Sequence, residues 1–193
     1  MFDRLPAAGA AVPAFNLPTL GGERISPAQL AGSPVVLALW STDCSASRLA
    51  LQGLEAVQRD YASRGVRVLV VADDGDAERL RTFVDSAGVS LPVAYASGEL
   101  HDLFDPNRQL WQKSFGLPSW LVLDAQGRVA ERTIRVLLAE ADAGQVRLGN
   151  VRDAIDRVLG QHQAQASGSR SHPANAAQLA NAGDDPALCF RTC

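Results

Sequence analysis

The sequence predicts an α/β fold, a central β-sheet flanked by helices, and two observations carry this prediction. Residues 35–40 and 66–72 are short runs rich in Val and Leu that do not alternate with polar residues. Such runs are typical of strands buried on both faces of a sheet covered by helices. Each run is followed by polar cap-forming residues and then by apolar residues at helical spacing.

Length, composition and charge narrow the class of protein. The chain has 193 residues, of which 47% are hydrophobic and 20% charged, which fits one globular domain with an appendage. A net charge of -3 argues against nucleic-acid binding through phosphate contacts. The first residues contain no apolar run long enough for a signal peptide or membrane span, which predicts a cytoplasmic location. A periplasmic location is the alternative if the chain is processed or truncated.

The N-terminal segment predicts a small β-hairpin extension. Residues 15–17 and 24–25 can pair across Gly21 and Gly22. Ser26 and Pro27 then suit the cap and the first position of a short helix. We expect this segment to cover one edge of the sheet.

Cys44 stands between the first buried run and a predicted helix over residues 45–64. Unpaired backbone N–H groups and the helix dipole at such a junction favour thiolate over thiol, and Arg48 adds a positive charge one turn on. Four apolar residues are expected to face the core, and Gly65 to end the helix: Leu49, Leu54, Val57 and Tyr61.

Three acidic residues follow the second buried run: Asp73, Asp74 and Asp76. They could hold a metal ion, but capping of the next helix, residues 76–87, is the favoured interpretation. A short strand is predicted at residues 93–95. A helical pattern over 100–115, broken by Pro106, contains His101, which is either a proton shuttle or an ordinary surface residue.

The last part of the domain predicts a hairpin and a closing helix. A turn at residues 124–128 leads into a return strand over 129–136, and a helix over 150–159 is expected to end at Gly160. Residues 161–193 are rich in Ala, Ser, Gln and Asn, which predicts a flexible tail after a domain of residues 1–160. The tail contains Cys189 and Cys193.

Residues 40–47, W-S-T-D-C-S-A-S, resemble the W-C-x-x-C active site of the thioredoxin fold, in its TlpA/ResA-like branch of AhpC/TSA-related redoxins. Cys44 matches the attacking cysteine, and Ser47 stands where the resolving cysteine is expected. Trp40 matches the Trp at the end of the strand, while Asp43 replaces the second Trp of W-A-T-W-C-x-x-C. Ala38 occupies the place of the buried carboxylate that relays a proton in thioredoxins.

A second segment, residues 115–124, F-G-L-P-S-W-L-V-L-D, resembles the V-x-x-x-P-T-x-F-L-I-D segment of the same family. The resemblance implies that Pro118 follows a cis peptide bond and lies against Cys44. It also implies that the backbone of Leu117 is open to hydrogen bonds from a partner strand. The resemblance covers about residues 8–160.

Three functions are consistent with these residues. In the first, Cys44 forms a mixed disulfide with a protein or small-molecule disulfide, resolved by an external thiol such as glutathione, or by Cys189 or Cys193. In the second, Cys44 reduces a peroxide as in peroxiredoxins, with Ser41 three residues before it but Leu37 where their Pro stands. In the third, the chain is a thioredoxin-like binding module without turnover. None of these requires a cofactor or a metal.

Overall fold

The computed structural model describes residues 5–96, 100–104, 117–133, 141–142, 145–146 and 148–168. Its main sheet has five strands in the order β5-β4-β3-β6-β7. The elements run along the chain as β1 (Leu17–Pro18), β2 (Arg24–Ile25), α1 (Pro27–Leu30), β3 (Val35–Trp40), α2 (Ser45–Tyr61), β4 (Arg67–Ala72), α3 (Ala77–Ala87), β5 (Val93–Tyr95), α4 (Leu100–Phe104), β6 (Ser119–Leu123), β7 (Val129–Thr133), β8 (Ala141–Asp142), β9 (Gln145–Val146) and α5 (Gly149–Gly168).

The central strand β3 is buried along its whole length, as predicted. It is parallel to β4 and antiparallel to β6, so the sheet is mixed. Even-numbered residues of β3 pack with α2, α3 and α5, and odd-numbered residues pack with α4 and the N-terminal segment. Apolar side chains on both faces explain why the run does not alternate.

The predicted hairpin and short helix at the start of the chain are confirmed. Leu17 pairs with Ile25 in an antiparallel ladder. Ser26 and Gln29 form a capping box at the start of α1, where Pro27 occupies the first turn.

The N-terminal segment covers an edge of the sheet, at β5, as expected, and it also crosses a whole face of the sheet. The Val12 N–H donates to the Gly127 carbonyl beside β7, whereas Thr19 pairs with Ala94 on β5, the opposite edge strand. Phe15 lies between these anchors and is buried against the odd-numbered face. The apolar residues of the segment therefore complete one half of the core.

The helix predictions for α2 and α3 hold. Leu54, Val57 and Tyr61 are buried, and Leu49 packs partly against the same core. A 3-10 turn follows α2 and ends at Gly65, whose φ of 79° lies in the left-handed region that glycine adopts readily.

The hairpin turn at residues 124–128 is formed as predicted. The Asp124 carboxylate accepts hydrogen bonds from the backbone N–H groups of Gln126 and Arg128 at 2.9 and 2.8 Å. β7 is described as far as Thr133, and the last residues of the predicted return strand, 134–136, lie outside the described residues. Residues 105–115 of the predicted helical pattern, and the side chain of His101, also lie outside them.

The closing helix is longer than predicted, because α5 continues through Gly160 to Gly168. A glycine inside a helix costs only about 1 kcal/mol relative to alanine. The residues that follow, Q-H-Q-A-Q-A, are mostly Gln and Ala, which favour helix and sustain it past that glycine. The tail from residue 169 onward, with Cys189 and Cys193, lies outside the described residues.

No helix in the described part of the chain combines the length and apolar character needed to span a membrane.

Candidate active site

Cys44 lies at the junction between β3 and α2, at the carboxyl end of the central strand. It is the N-cap residue of α2, with φ of -99° and ψ of 116°, and it is half-buried. Its backbone N–H donates to the Ser41 carbonyl at 3.3 Å, which closes a turn over residues 41–44. Cys44 therefore begins a 17-residue helix, whose first N–H groups lack partners within the helix, and its side chain makes no capping hydrogen bond to them.

The two motifs of the sequence meet at this point. The Leu117–Pro118 peptide bond is cis, and Pro118 is buried. The Cys44 thiol donates to the Leu117 carbonyl oxygen at an Sγ–O distance of 3.3 Å. The backbone before Pro118 is thus in direct contact with the cysteine.

Ser47 lies in the first turn of α2 and is fully buried, at 0% exposure. Its Oγ has no hydrogen-bond partner in the described part of the chain, nor does Nε1 of Trp40 or of Trp120. Ser47 therefore makes no hydrogen bond to the Cys44 sulfur, which donates to the Leu117 carbonyl instead.

Asp43 is exposed beside Cys44 and forms an ion pair with Arg79 of α3. The hydrogen bond and the charge of Asp43 raise the pKa of Arg79 above its ordinary value, so this guanidinium stays cationic. Sequence reasoning identified Asp43 but not Arg79, because 36 residues separate the two in the chain.

Arg48 was expected to supply a positive charge near the thiol. Its guanidinium donates to the Thr42 carbonyl at 2.6 Å, two residues before Cys44. The charge is thereby held over the loop that leads into the helix.

Asp74 is a site residue that the sequence did not reveal. Its carboxylate, only 7% exposed, accepts hydrogen bonds from the Thr42 backbone N–H, at 3.1 Å, and from the Thr42 hydroxyl. Of the acidic residues expected to cap α3, Asp76 is the N-cap and accepts from the N–H groups of Glu78 and Arg79. Asp74 instead binds Thr42, which precedes Cys44 by two residues.

Metal binding finds no support in the described residues, where no group of three His, Cys, Asp or Glu side chains is arranged to hold an ion. The carboxylates of Asp74 and Asp76 bind protein groups.

A mixed sheet with a cysteine at the first helix after its central strand, facing the residue before a cis proline, defines a thioredoxin-fold protein of the redoxin class. The pattern of the AhpC/TSA family matches residues 8–132, and the chain belongs to this family. Within it, the chain is of the TlpA/ResA-like kind.

The chain is similar to two kinds of curated relative. It is 26% identical over 132 residues to the thiol-disulfide oxidoreductase ResA of Bacillus thuringiensis (strain Al Hakam), covering 65% of this chain and 69% of ResA. It is 30% identical over 87 residues to the thioredoxin-like protein YneN of Bacillus subtilis (strain 168), covering 44% of this chain and 51% of YneN. The chain therefore spans about half the length of YneN and about two thirds of ResA.

Solved structures support the fold. A putative thiol:disulfide interchange protein DsbE from Chlorobium tepidum has a TM-score of 0.66 at 20% identity, covering 80% of this chain and 99% of that one. A putative protein disulfide isomerase from Bacteroides thetaiotaomicron has a TM-score of 0.64 at 17% identity, with 82% and 95% covered.

Proposed function

We propose that the chain is a thiol-disulfide oxidoreductase that uses a single active-site cysteine, Cys44. The observation that carries the proposal is the placement of its half-buried sulfur at the start of α2, 3.3 Å from the Leu117 carbonyl. The similarity to ResA supports the same class of reaction.

In the proposed first step, the Cys44 thiolate attacks one sulfur of a substrate disulfide. A Cys44–substrate disulfide forms, the substrate S–S bond breaks, and the released thiolate takes a proton from solvent. The substrate backbone lies along Leu117, whose carbonyl can accept one of its N–H groups.

The second step needs another thiol, because Ser47 has no sulfur. An external thiol such as glutathione, or a tail thiol of Cys189 or Cys193, attacks the Cys44 sulfur. A new disulfide to Cys44 forms, the Cys44–substrate bond breaks, and the substrate leaves as a thiol. With an external thiol, its attack on the Cys44 sulfur leaves Cys44 in a new mixed disulfide that a second thiol must reduce.

The test is to trap the mixed disulfide in full-length protein that carries Cys189→Ser and Cys193→Ser. We expect this variant, when it is mixed with a model protein that contains a disulfide, to accumulate a covalent adduct. The mass of the adduct should equal the sum of the masses of the two proteins, and dithiothreitol should cleave it. The same chain with Cys44→Ser is the matched control and should form no adduct.

Two results would contradict the proposal. If Cys44 reacts with hydrogen peroxide to a sulfenic acid but forms no adduct with disulfides, the chain is a peroxidase. If neither reagent reacts while iodoacetamide shows that Cys44 is accessible, the chain is a binding module without turnover.

A further inference from the structure

We infer that Asp74 is a positioning residue that holds the loop of residues 41–43, the Cys44 loop, in the geometry from which the thiol reacts. The inference rests on the proposed role of Cys44 as the nucleophile. It assigns a function to a buried carboxylate that has no contact with the sulfur and acts through Thr42.

Strand register places Asp74 beside the loop. β3 and β4 are parallel, and their last residues, Trp40 and Ala72, are paired. Thr42 and Asp74 each lie two residues beyond that pair, so the two neighbouring strands deliver them to the same point above the sheet. There the carboxylate accepts both the backbone N–H and the hydroxyl of Thr42.

Charged side chains from three parts of the chain bind the polar groups of Thr42. Asp74 takes its N–H and hydroxyl, Arg48 of α2 donates to its carbonyl, and Arg79 of α3 lies 3.4 Å from its Oγ. Thr42 itself is only 5% exposed. Hydrogen bonds to ionised partners are stronger than those between neutral groups, and burial strengthens them further. Thr42 is therefore the fixed point of the loop.

The position of the sulfur depends on this fixed point. Cys44 follows Thr42 by two residues and is joined to the same turn by the hydrogen bond from its N–H to Ser41. If Thr42 shifts, the sulfur moves relative to both the start of α2 and the Leu117 carbonyl. A displacement of about 1 Å at a reacting centre can cost up to about a hundredfold in rate.

The experiment measures the rate at which the Cys44 thiol reacts with two probes. All chains are full-length and carry Cys189→Ser and Cys193→Ser, so that Cys44 is the single thiol. The probes are the chromogenic disulfide dithionitrobenzoate and, in parallel, iodoacetamide. We expect Asp74→Ala to slow both reactions about tenfold. Asp74→Asn should recover most of the rate, because a carboxamide still offers an oxygen to the Thr42 N–H and an amino group to its hydroxyl.

Asp76→Ala is the matched control. It removes the same charge from the same connection between β4 and α3, together with the cap of α3. It should lower the melting temperature but leave the Cys44 rate unchanged, which separates positioning from stability. If Asp74→Ala fails to fold, Thr42→Val takes its place, with Thr42→Ser as the control that keeps the hydroxyl. Thr42→Val removes the hydroxyl contact alone and should slow the reaction of the Cys44 thiol by a smaller factor.

Two outcomes would overturn the inference: a folded Asp74→Ala chain that reacts at the parent rate, or equal changes in Asp74→Ala and Asp74→Asn, which would indicate a charge effect. Failure of the proposed function is distinguishable, because the parent chain would then react with iodoacetamide but not with the disulfide. In that case the iodoacetamide rates alone decide the role of Asp74.

Discussion

The Cys44 thiol donates a hydrogen bond to the Leu117 carbonyl oxygen across 73 residues of chain. Only the protonated thiol can make this contact, because a thiolate or a disulfide sulfur has no proton to donate. Conversion of Cys44 to a mixed disulfide therefore frees the Leu117 carbonyl. The same oxygen is then available to a backbone N–H of the bound substrate.

Ser47→Cys should convert the chain into a conventional dithiol enzyme. Ser47 lies one turn after Cys44 on α2, and its buried hydroxyl has no partner in the described residues that the substitution would lose. The second thiolate can displace a substrate from Cys44. We expect a gain in insulin reduction with dithiothreitol, measured by turbidity in chains that lack the tail cysteines.

Ser45→Cys is the control for this gain, because it adds a thiol at an exposed position directly after Cys44. Equal activity in the two variants, or strong activity of the parent chain with Cys44 alone, would show that the position of the second thiol is unimportant.

Asp43→Ala should speed alkylation of Cys44 at neutral pH. The substitution removes a negative charge next to the thiol and leaves the cationic Arg79 without its partner. Both charges are exposed, so we expect a change of only about twofold in rate, and salt weakens the effect. Arg79→Ala should change the rate in the opposite direction. Rates that move together in the two variants would contradict an electrostatic origin.

Tyr61 should make stability fall at alkaline pH. Burial, and then its hydrogen bond to Asp156, raise the pKa of Tyr61 above 10.0. The folded chain holds this proton more tightly than the unfolded chain. The resulting stability is therefore fully present below pH 10 and is lost as the pH rises through the raised pKa.

Urea unfolding between pH 8 and about 11 measures this loss. Tyr61→Phe should remove it, and Asp156→Asn should reduce it, because burial, the larger cause, remains. An unchanged alkaline slope in Tyr61→Phe would assign the loss to other groups.

Oxidation of the native chain should form a disulfide that contains a tail thiol, either joined to Cys44 or formed when the oxidation passes from Cys44 to the pair of tail thiols. At low protein concentration, we expect mass spectrometry after one equivalent of diamide to find a Cys44–Cys189, Cys44–Cys193 or Cys189–Cys193 disulfide. A tethered thiol has an effective concentration of about a millimolar, which favours the intramolecular product. Glutathionylated Cys44 with both tail thiols free, in the presence of glutathione, would make an external thiol the resolving agent.

The sequence predicted the parts of the fold that local chemistry determines. Non-alternating apolar runs identified β3 and β4, the Ser26 and Asp76 side chains marked helix starts, and Asp124 marked the hairpin turn. The contact between the motif around Cys44 and the segment around Pro118 was expected because both resemble segments of one family. The spacing of the residues along the chain does not predict that contact by itself.

The parts that were missed depend on distant contacts. Asp74 binds Thr42, 32 residues earlier in the chain, because of the register between β3 and β4. The local sequence does not reveal this contact, since an acidic residue after a strand has the same pattern whether it caps a helix or binds a neighbouring loop. The end of α5 was misplaced for an energetic reason, because the cost of Gly160 is small beside the helix preference of its neighbours.

The length of α5 determines where the rest of the chain begins. The helix starts beside Thr133, near the sheet end that carries Cys44, and its Gln161 reaches the hairpin at Arg128, at the opposite end. A 20-residue helix is about 30 Å long, so Gly168, the last residue of α5, lies at the pole of the domain opposite to the thiol. Twenty residues separate Gly168 from Cys189. If these residues form the flexible linker that their composition predicts, its root-mean-square span is about 25 Å, and a return to Cys44 within one molecule competes with capture by a neighbouring molecule once protein concentration rises.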